Sequence, residues 1–86
     1  MDESMDLPIG DTLDLHSFLP REIADLVEEY LYQAALKGYR EVRIIHGRGV
    51  GVQRGIVHSV LQKHTSVVAY HDEMDHGSTV VMLKQD

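Results

Sequence analysis

The sequence contains no cysteine and no tryptophan, and it has only two prolines. Without cysteine, neither a disulfide framework nor a thiolate metal site can support the fold. No apolar run reaches the length that a membrane-spanning helix needs, and no signal-peptide pattern precedes the first predicted strand. We therefore expect a single small cytoplasmic domain that does not contact a membrane, which is compatible with the absence of cysteine.

Positive charge is also scarce, because 14 acidic residues outnumber eight basic ones and the net charge is −6. This balance argues against a protein that coats nucleic acid by bulk electrostatic attraction. The charges are unevenly spread, since residues 1–29 hold nine acids and one base, whereas residues 40–63 hold five bases and one acid. A local basic surface and a mixed solvated surface are both compatible with this distribution.

Hydrophobic periodicity predicts the element order β-α-β-α-β-β. Pro20 suits the first position of a helix, and Gly38 suits the residue that follows a helix C-terminus. A second helix is predicted after a glycine-rich stretch that includes Gly55, and it ends near Lys63. The remaining predicted segments are a mobile acidic arm over residues 1–10, strands over 11–16, 41–46, 67–71 and 78–83, and a solvated polar turn over 72–77.

This order predicts an α+β two-layer sandwich, with a four-stranded mixed sheet and two helices on one face. The last two strands are expected to pair antiparallel, because only a short turn joins them. In the first strand, Leu13 and Leu15 are expected to point toward the helices, and Asp14 and His16 toward the open face. The spacing brings Asp14 and His16 near each other without favouring a hydrogen bond between them.

The loop over residues 47–51 follows the second strand, at the sheet edge where open α/β sheets bind ligands. Backbone N–H groups at the start of the next helix attract anions, and glycine lets a phosphate approach closely. Arg48 and Arg54 flank the loop and can donate bidentate hydrogen bonds to a phosphate. The glycine spacing matches neither a dinucleotide fingerprint nor a P-loop. A tight turn with a purely structural role is therefore the alternative.

The remaining histidines and tyrosines give weaker signals. His46 precedes the glycine loop and is expected either to fix the loop or to take part in the chemistry. His58 and His64 are predicted to be surface residues or partners of a helix dipole. No motif predicts a structural zinc site. Packing roles, rather than a base-stacking stripe, are predicted for the four tyrosines, Tyr30, Tyr32, Tyr39 and Tyr70.

Two motifs resemble the Smr domain, the small MutS-related domain. Residues 13–16 read Leu-Asp-Leu-His, the L-D-L-H signature of that family. Residues 45–51 are close to its H-G-K-G-x-G motif, and Arg54 stands where the family usually has an arginine. Residues 77–81 are similar to its closing strand. The resemblance covers about residues 11–84, which we take as the Smr domain.

The resemblance implies the fold of the C-terminal domain of bacterial translation initiation factor three. It also implies nucleic-acid binding and, as in several members, nicking or cleavage of DNA or RNA. Members whose signature histidine is replaced lose cleavage, and this chain keeps His16. Two positions depart from the family pattern: Ser17 stands where glycine is usual, and Arg48 where lysine is common.

The leading hypothesis is an endonuclease in which His16 acts as general base or acid. Asp14 would orient a water molecule or hold a divalent cation such as Mg²⁺ or Mn²⁺. His46 would position the loop or transfer a second proton. Phosphate binding is assigned to the loop and to both arginines, namely to Gly47, Arg48, Gly49, Gly51 and Arg54.

Two other functions fit the same residues. The domain can be a non-catalytic module that binds nucleic-acid backbone, or a small phosphoester or nucleotide hydrolase. The sequence does not choose between DNA and RNA, and it names no repair or ribosome-associated partner. It lacks an aromatic platform for single-stranded bases and a base-reading helix, which favours recognition of backbone shape.

Overall fold

The computed structural model describes residues 10–49 and 51–85. The predicted acidic arm, residues 1–10, therefore lies outside the described residues except for Gly10. The chain runs in the order β1 (Thr12–Asp14), α1 (Pro20–Leu36), β2 (Glu41–Ile45), α2 (Val52–Lys63), β3 (Val67–Asp72) and β4 (Ser78–Leu83).

The four strands form one mixed sheet in the order β1-β2-β4-β3. Strand β1 is parallel to β2, whereas β4 lies antiparallel to both β2 and β3. The two helices pack against each other and against the sheet. The predicted four-stranded α+β sandwich is thus confirmed, and the sheet order adds that β4 lies between β2 and β3.

The core lies between the sheet and the helices. Helix α1 buries one face at helical spacing, as its apolar pattern predicts, and α2 buries a smaller one. In β1 and β2, alternate side chains are buried against the helices, which follows from the two-residue repeat of a strand. The fully or nearly fully buried apolar residues include Leu13, Leu15, Ile23, Val27, Tyr30, Leu31, Ala34, Val42, Ile44, Val57, Leu61, Val81 and Leu83.

The ends of the elements differ from the predicted bounds at two positions that matter for the site. Strand β1 ends at Asp14 because the chain turns there, with the Phe18 N–H donating to the Leu15 carbonyl at 3.0 Å. Gly55, placed before the second helix by its composition, lies inside α2, since its N–H donates to the Gly51 carbonyl at 2.9 Å.

Both ends of α1 are closed by local hydrogen bonds. At its start, Glu22 accepts the Leu19 N–H at 2.8 Å, which satisfies one of the free donors of the first turn. At its end, Gly38 has a φ of 84°, the left-handed conformation expected of a residue after a helix C-terminus. In the described part of the chain, no helix has the length and apolar character needed to cross a membrane.

Candidate functional site

The candidate site lies where the parallel strands β1 and β2 end. Asp14, the last residue of β1, is paired with Ile45, the last residue of β2. The Leu15 N–H continues the ladder by donating to the Ile45 carbonyl at 2.9 Å. The next residues, His16 and His46, therefore leave the sheet at the same carboxyl-terminal edge, which is the ligand-binding edge of open α/β sheets.

Asp14 and His16 form a hydrogen-bonded pair on this edge. The Asp14 Oδ1 atom accepts the backbone N–H of His16 and also faces its Nδ1 atom, each at 3.0 Å. The spacing in a strand was not expected to favour this hydrogen bond, and that prediction was wrong, because the chain leaves strand geometry after Asp14. A carboxylate only accepts hydrogen bonds, so in the neutral imidazole Nδ1 carries the proton and Nε2 has the lone pair.

The pair is accessible to a substrate. The side chain of His16 is 79% exposed and that of Asp14 is 49% exposed. The Ser17 hydroxyl lies 3.4 Å from His16 Nε2, so the residue that replaces the usual glycine stands beside the nitrogen that can exchange protons. Two hydrogen bonds from His16, first from its backbone N–H and then from its ring, hold the pKa of Asp14 below its ordinary value.

We predict that the Asp14 carboxyl titrates below about 3.9, the ordinary value for aspartate. In His16→Ala the midpoint should rise only part of the way back, because the backbone N–H remains and only the ring is lost. The measurement is a carboxyl-detected NMR titration of both proteins, with His71→Ala as the control that leaves Asp14 unchanged. A midpoint at the ordinary value in the wild-type protein would refute the hydrogen-bonded pair.

The glycine loop is anchored to the β3–β4 hairpin. The N–H groups of His46 and Gly47 both donate to the Gly77 carbonyl, at 3.0 and 2.9 Å. Gly47 and Gly51 have φ angles of 85° and 86°, which side chains with a Cβ rarely adopt. Gly51 is also the N-cap of α2 and offers no side chain to its free N–H groups. These donors are therefore available to an anion.

Arg48, in the loop, and Arg54, in α2, line different cavities. Arg54 lines a cavity of about 340 Å³, together with Pro20, His46, Gly47, Gly49, Gly51, Val52 and Gln53. Arg48 instead lines a cavity of about 250 Å³ on the side of the β3–β4 hairpin, next to Glu73, Asp75 and Ser78. Only the backbone of the loop, at Gly47, is shared by both cavities.

The two arginines also differ in their partners. The Arg54 guanidinium donates to the Asp72 carboxylate, through Nε at 2.8 Å and through Nη2. Arg48 has no hydrogen bond or ion pair within residues 10–49 and 51–85. Arg48 is therefore not held by an ion pair within these residues, whereas the charge of Arg54 is shared with Asp72.

Sequence reasoning missed a polar cluster between α2 and the sheet. His58 was predicted to be a surface residue or a partner of the helix dipole, and it is neither. Its side chain is 19% exposed, and its Nε2 atom lies 2.9 Å from Asp72 Oδ1. The Tyr70 ring packs edge-on against it at 5.0 Å. Asp72 was placed in a solvated turn, but it ends β3 and points into this cluster. The i, i+4 spacing of Arg54 and His58 was the sequence signal for this cluster, because it places both side chains on one face of α2.

His46 joins the same cluster from β2 and is only 5% exposed. Its Nδ1 atom lies 3.0 Å from the Gly47 carbonyl, and its Nε2 atom lies 2.9 Å from the Thr79 hydroxyl. Thr79 is fully buried and also donates to Asp72 Oδ1 at 2.8 Å. His46 therefore holds the start of the glycine loop against the sheet, which is one of the two roles expected of it.

The Asp72 carboxylate is the centre of charge in this cluster. Burial by itself raises its pKa, but the hydrogen bonds from Arg54, Thr79 and His58 outweigh that effect and hold the pKa well below the ordinary range. The donor atoms of His46, His58 and Asp72 all lie within 4.8 Å of one another, so these three side chains can hold a metal ion.

The site residues thus fall into three groups. Asp14 and His16 form one exposed pair, and His46 and Arg54 both belong to the polar cluster around Asp72. Arg48 stands apart on the hairpin side. Within the described residues, no hydrogen bond or ion pair connects the His16 side chain to the glycine loop.

Comparison with known proteins gives a family match over most of the chain. The model of the Smr domain family matches residues 13–84. A curated relative, the "Endonuclease MutS2" of Staphylococcus saprophyticus, is 40% identical over 76 residues, which cover 84% of this chain and 10% of that protein. The Endonuclease MutS2 of Geobacillus sp. strain WCH70 is 39% identical over 83 residues, covering 92% of this chain and 11% of that protein. The chain thus spans about a tenth of these relatives.

Two solved structures share the fold. The Smr domain of Thermus thermophilus MutS2 superposes with a TM-score of 0.81 at 28% sequence identity, covering 87% of this chain and 99% of that one. YdaL, a stand-alone small MutS-related protein from Escherichia coli, gives a TM-score of 0.80 at 28% identity, covering 87% of this chain and 65% of that one.

Proposed function

Because the chain belongs to the Smr domain family, we propose that it binds the phosphodiester backbone of DNA or RNA and cleaves it as a structure-selective endonuclease. The observation that carries this proposal is the pair of Asp14 and His16, joined at 3.0 Å and open to solvent at the edge that also bears the glycine loop. An imidazole fixed in one tautomer beside a phosphate-binding loop supports acid–base chemistry on a phosphodiester.

In this mechanism His16 Nε2 removes the proton from the attacking oxygen, which forms a bond to phosphorus. The P–O bond to the leaving nucleotide oxygen breaks, and that oxygen takes a proton from solvent or from the His16 imidazolium. The attacking oxygen belongs to water if the reaction is hydrolysis, or to a ribose 2′-hydroxyl if RNA undergoes transesterification. Asp14 accepts a hydrogen bond from the Nδ1–H group and stabilises the imidazolium that forms, as a carboxylate partner does for other catalytic histidines. General base catalysis of this kind contributes a factor of about 10² to 10⁴ in rate.

The loop has the second role, which is to hold the phosphate. The free N–H groups at the start of α2 and the glycines at 47 and 51 allow a phosphate oxygen to approach the backbone closely. Arg48, which has no hydrogen bond or ion pair among the described residues, adds a charge that can reach the backbone on the hairpin side. The acidic remainder of the domain limits non-specific binding, which favours recognition of a particular backbone shape.

The test is a cleavage assay with the purified chain on supercoiled plasmid, branched DNA and structured RNA. Each substrate is incubated with Mg²⁺, with Mn²⁺ and with EDTA, and binding is measured in parallel. We expect nicking of at least one structured substrate. Binding without cleavage on every substrate would leave a backbone-binding module, and turnover of a mononucleotide ester without polymer binding would indicate a small phosphoesterase.

We predict that Arg48→Ala weakens nucleic-acid binding about tenfold, which corresponds to about 1.4 kcal/mol. Losing one phosphate contact should also reduce the slope of log K against log salt by about one. The measurement is fluorescence anisotropy over a series of salt concentrations. Arg40→Ala is the matched control, because Arg40 lies at the amino-terminal end of β2, whereas the glycine loop follows its carboxyl-terminal end. Equal losses in the two variants would contradict a local phosphate contact at Arg48.

A further inference from the structure

We propose that His46, His58 and Asp72 form a binding site for a first-row transition-metal cation, with Zn²⁺ as the best match. Two imidazole nitrogens and one carboxylate oxygen lie within 4.8 Å of one another and are largely shielded from solvent. Imidazole and carboxylate donors are a ligand set that binds Zn²⁺. The same donors also suit other divalent metals of the first transition row, such as Cu²⁺ and Ni²⁺.

The surroundings of these side chains orient their donor atoms toward a common point. The Gly47 carbonyl only accepts hydrogen bonds, so His46 carries its proton on Nδ1 and directs the Nε2 lone pair into the cluster. Arg54 occupies Oδ2 of Asp72 and leaves Oδ1 facing the two histidines. Backbone carbonyls and charged side chains commonly fix metal ligands in this way.

The donor atoms of the cluster converge on one small polar group. With Nδ1 protonated, His46 Nε2 accepts a hydrogen bond from the Thr79 hydroxyl, 2.9 Å away. Asp72 Oδ1 lies 2.8 Å from the same hydroxyl and 2.9 Å from His58 Nε2. The lone pairs of His46 Nε2 and Asp72 Oδ1 therefore point into the same small space, where a metal ion can take them directly.

The distances are compatible with four-coordinate geometry after small side-chain rotations. Ligands placed at about 2.0–2.1 Å from a tetrahedral Zn²⁺ are about 3.3 Å apart. The Thr79 hydroxyl lies 2.9, 3.3 and 2.8 Å from the donor atoms of His46, His58 and Asp72. That hydroxyl or a water molecule would take the fourth position. On binding, His58 would carry its proton on Nδ1 and free Nε2.

The Arg54 guanidinium opposes a cation here and should reduce the affinity below that of a dedicated structural zinc site. It contacts the other oxygen of Asp72, so it leaves the ligand atom itself unobstructed. His46 and Arg54 also line the cavity beside the glycine loop. A cation held by the cluster would therefore add positive charge next to the proposed phosphate site, but its binding does not require that the chain cleaves nucleic acid.

The test is titration of the untagged full chain with Zn²⁺ by calorimetry, and with Co²⁺ by visible absorption, at neutral pH. We expect one ion per chain, a tetrahedral Co²⁺ spectrum, and a higher melting temperature in the presence of Zn²⁺. His58→Ala should weaken binding by about 100-fold or abolish it. His16→Ala and His71→Ala are matched controls that remove an exposed histidine and should keep the site intact.

His58→Gln provides a second variant if His58→Ala fails to fold, because glutamine keeps a hydrogen-bond donor for Asp72. It should fold and still lose the Co²⁺ spectrum. The proposal is overturned if the wild-type chain binds no stoichiometric ion, or if folded His58 variants bind as tightly as wild type. It is also overturned if nitrogen NMR shows His46 protonated on both ring nitrogens with excess Zn²⁺ present, because a proton would then fill the place of the metal.

Discussion

Replacing His16 with alanine is expected to lower the single-turnover cleavage rate by about 10²- to 10⁴-fold, the usual contribution of a general base. The variant should fold normally, because the side chain is 79% exposed and hydrogen-bonds only with Asp14 and Ser17 in the described structure. Its affinity for nucleic acid should change little, since the loop provides the phosphate contacts. The measurement is the rate of nicking at saturating protein.

His71→Ala is the matched control for this experiment. His71 is also an exposed histidine, but it lies in β3, at the other edge of the sheet from β1. We expect its cleavage rate to stay within about twofold of wild type, since exposed substitutions away from special features have small effects. A His16→Ala variant that cuts as fast as His71→Ala would remove His16 from the chemistry.

Asp72→Asn is expected to lower the free energy of unfolding by about 2–3 kcal/mol. The carboxylate accepts hydrogen bonds from Arg54, His58 and Thr79, and its side chain is only 16% exposed. Asparagine keeps the shape but loses the charge, and its amide N–H₂ has to face donors. Unpaired groups in a shielded cluster then cost about 1–3 kcal/mol each. A chain of this size should melt about 10–20 °C lower.

The measurement is urea unfolding followed by circular dichroism. Asp25→Asn is the control, because Asp25 is an exposed residue of α1, and its loss should change stability by less than about 0.5 kcal/mol. If the two variants are equally stable, the hydrogen bonds to Asp72 exchange with water at no cost, and the cluster has no structural role.

Most of the fold could be predicted because its signals are local. The apolar period of α1, the proline at its start and Gly38 at its end set the helix to within a residue. Strand alternation placed Leu13 and Leu15 in the core. The position of β4 between β2 and β3 could not be derived in this way, because the hairpin can join the sheet on either side without changing any local pattern.

The site was predictable in part for the same reason. The motif residues Asp14 and His16 and the glycine loop are close in sequence to the strand ends that position them. The cluster around Asp72 joins residues from β2, α2, β3 and β4, whose contacts depend on the sheet order. The two-residue repeat of β2 carries one signal for the cluster, because His46 follows the buried Val42 and Ile44 at that spacing and so faces the helices.

In the proposed function, Asp14 and His16 cut the backbone while the separate glycine loop holds the phosphate. The most direct test measures the dissociation constant and the single-turnover rate of His16→Ala and Arg48→Ala on one substrate that the wild-type chain nicks. We predict that His16→Ala keeps its affinity and loses its rate, whereas Arg48→Ala loses affinity and keeps most of its rate at saturation. Parallel losses of affinity and rate in both variants would contradict the division of roles.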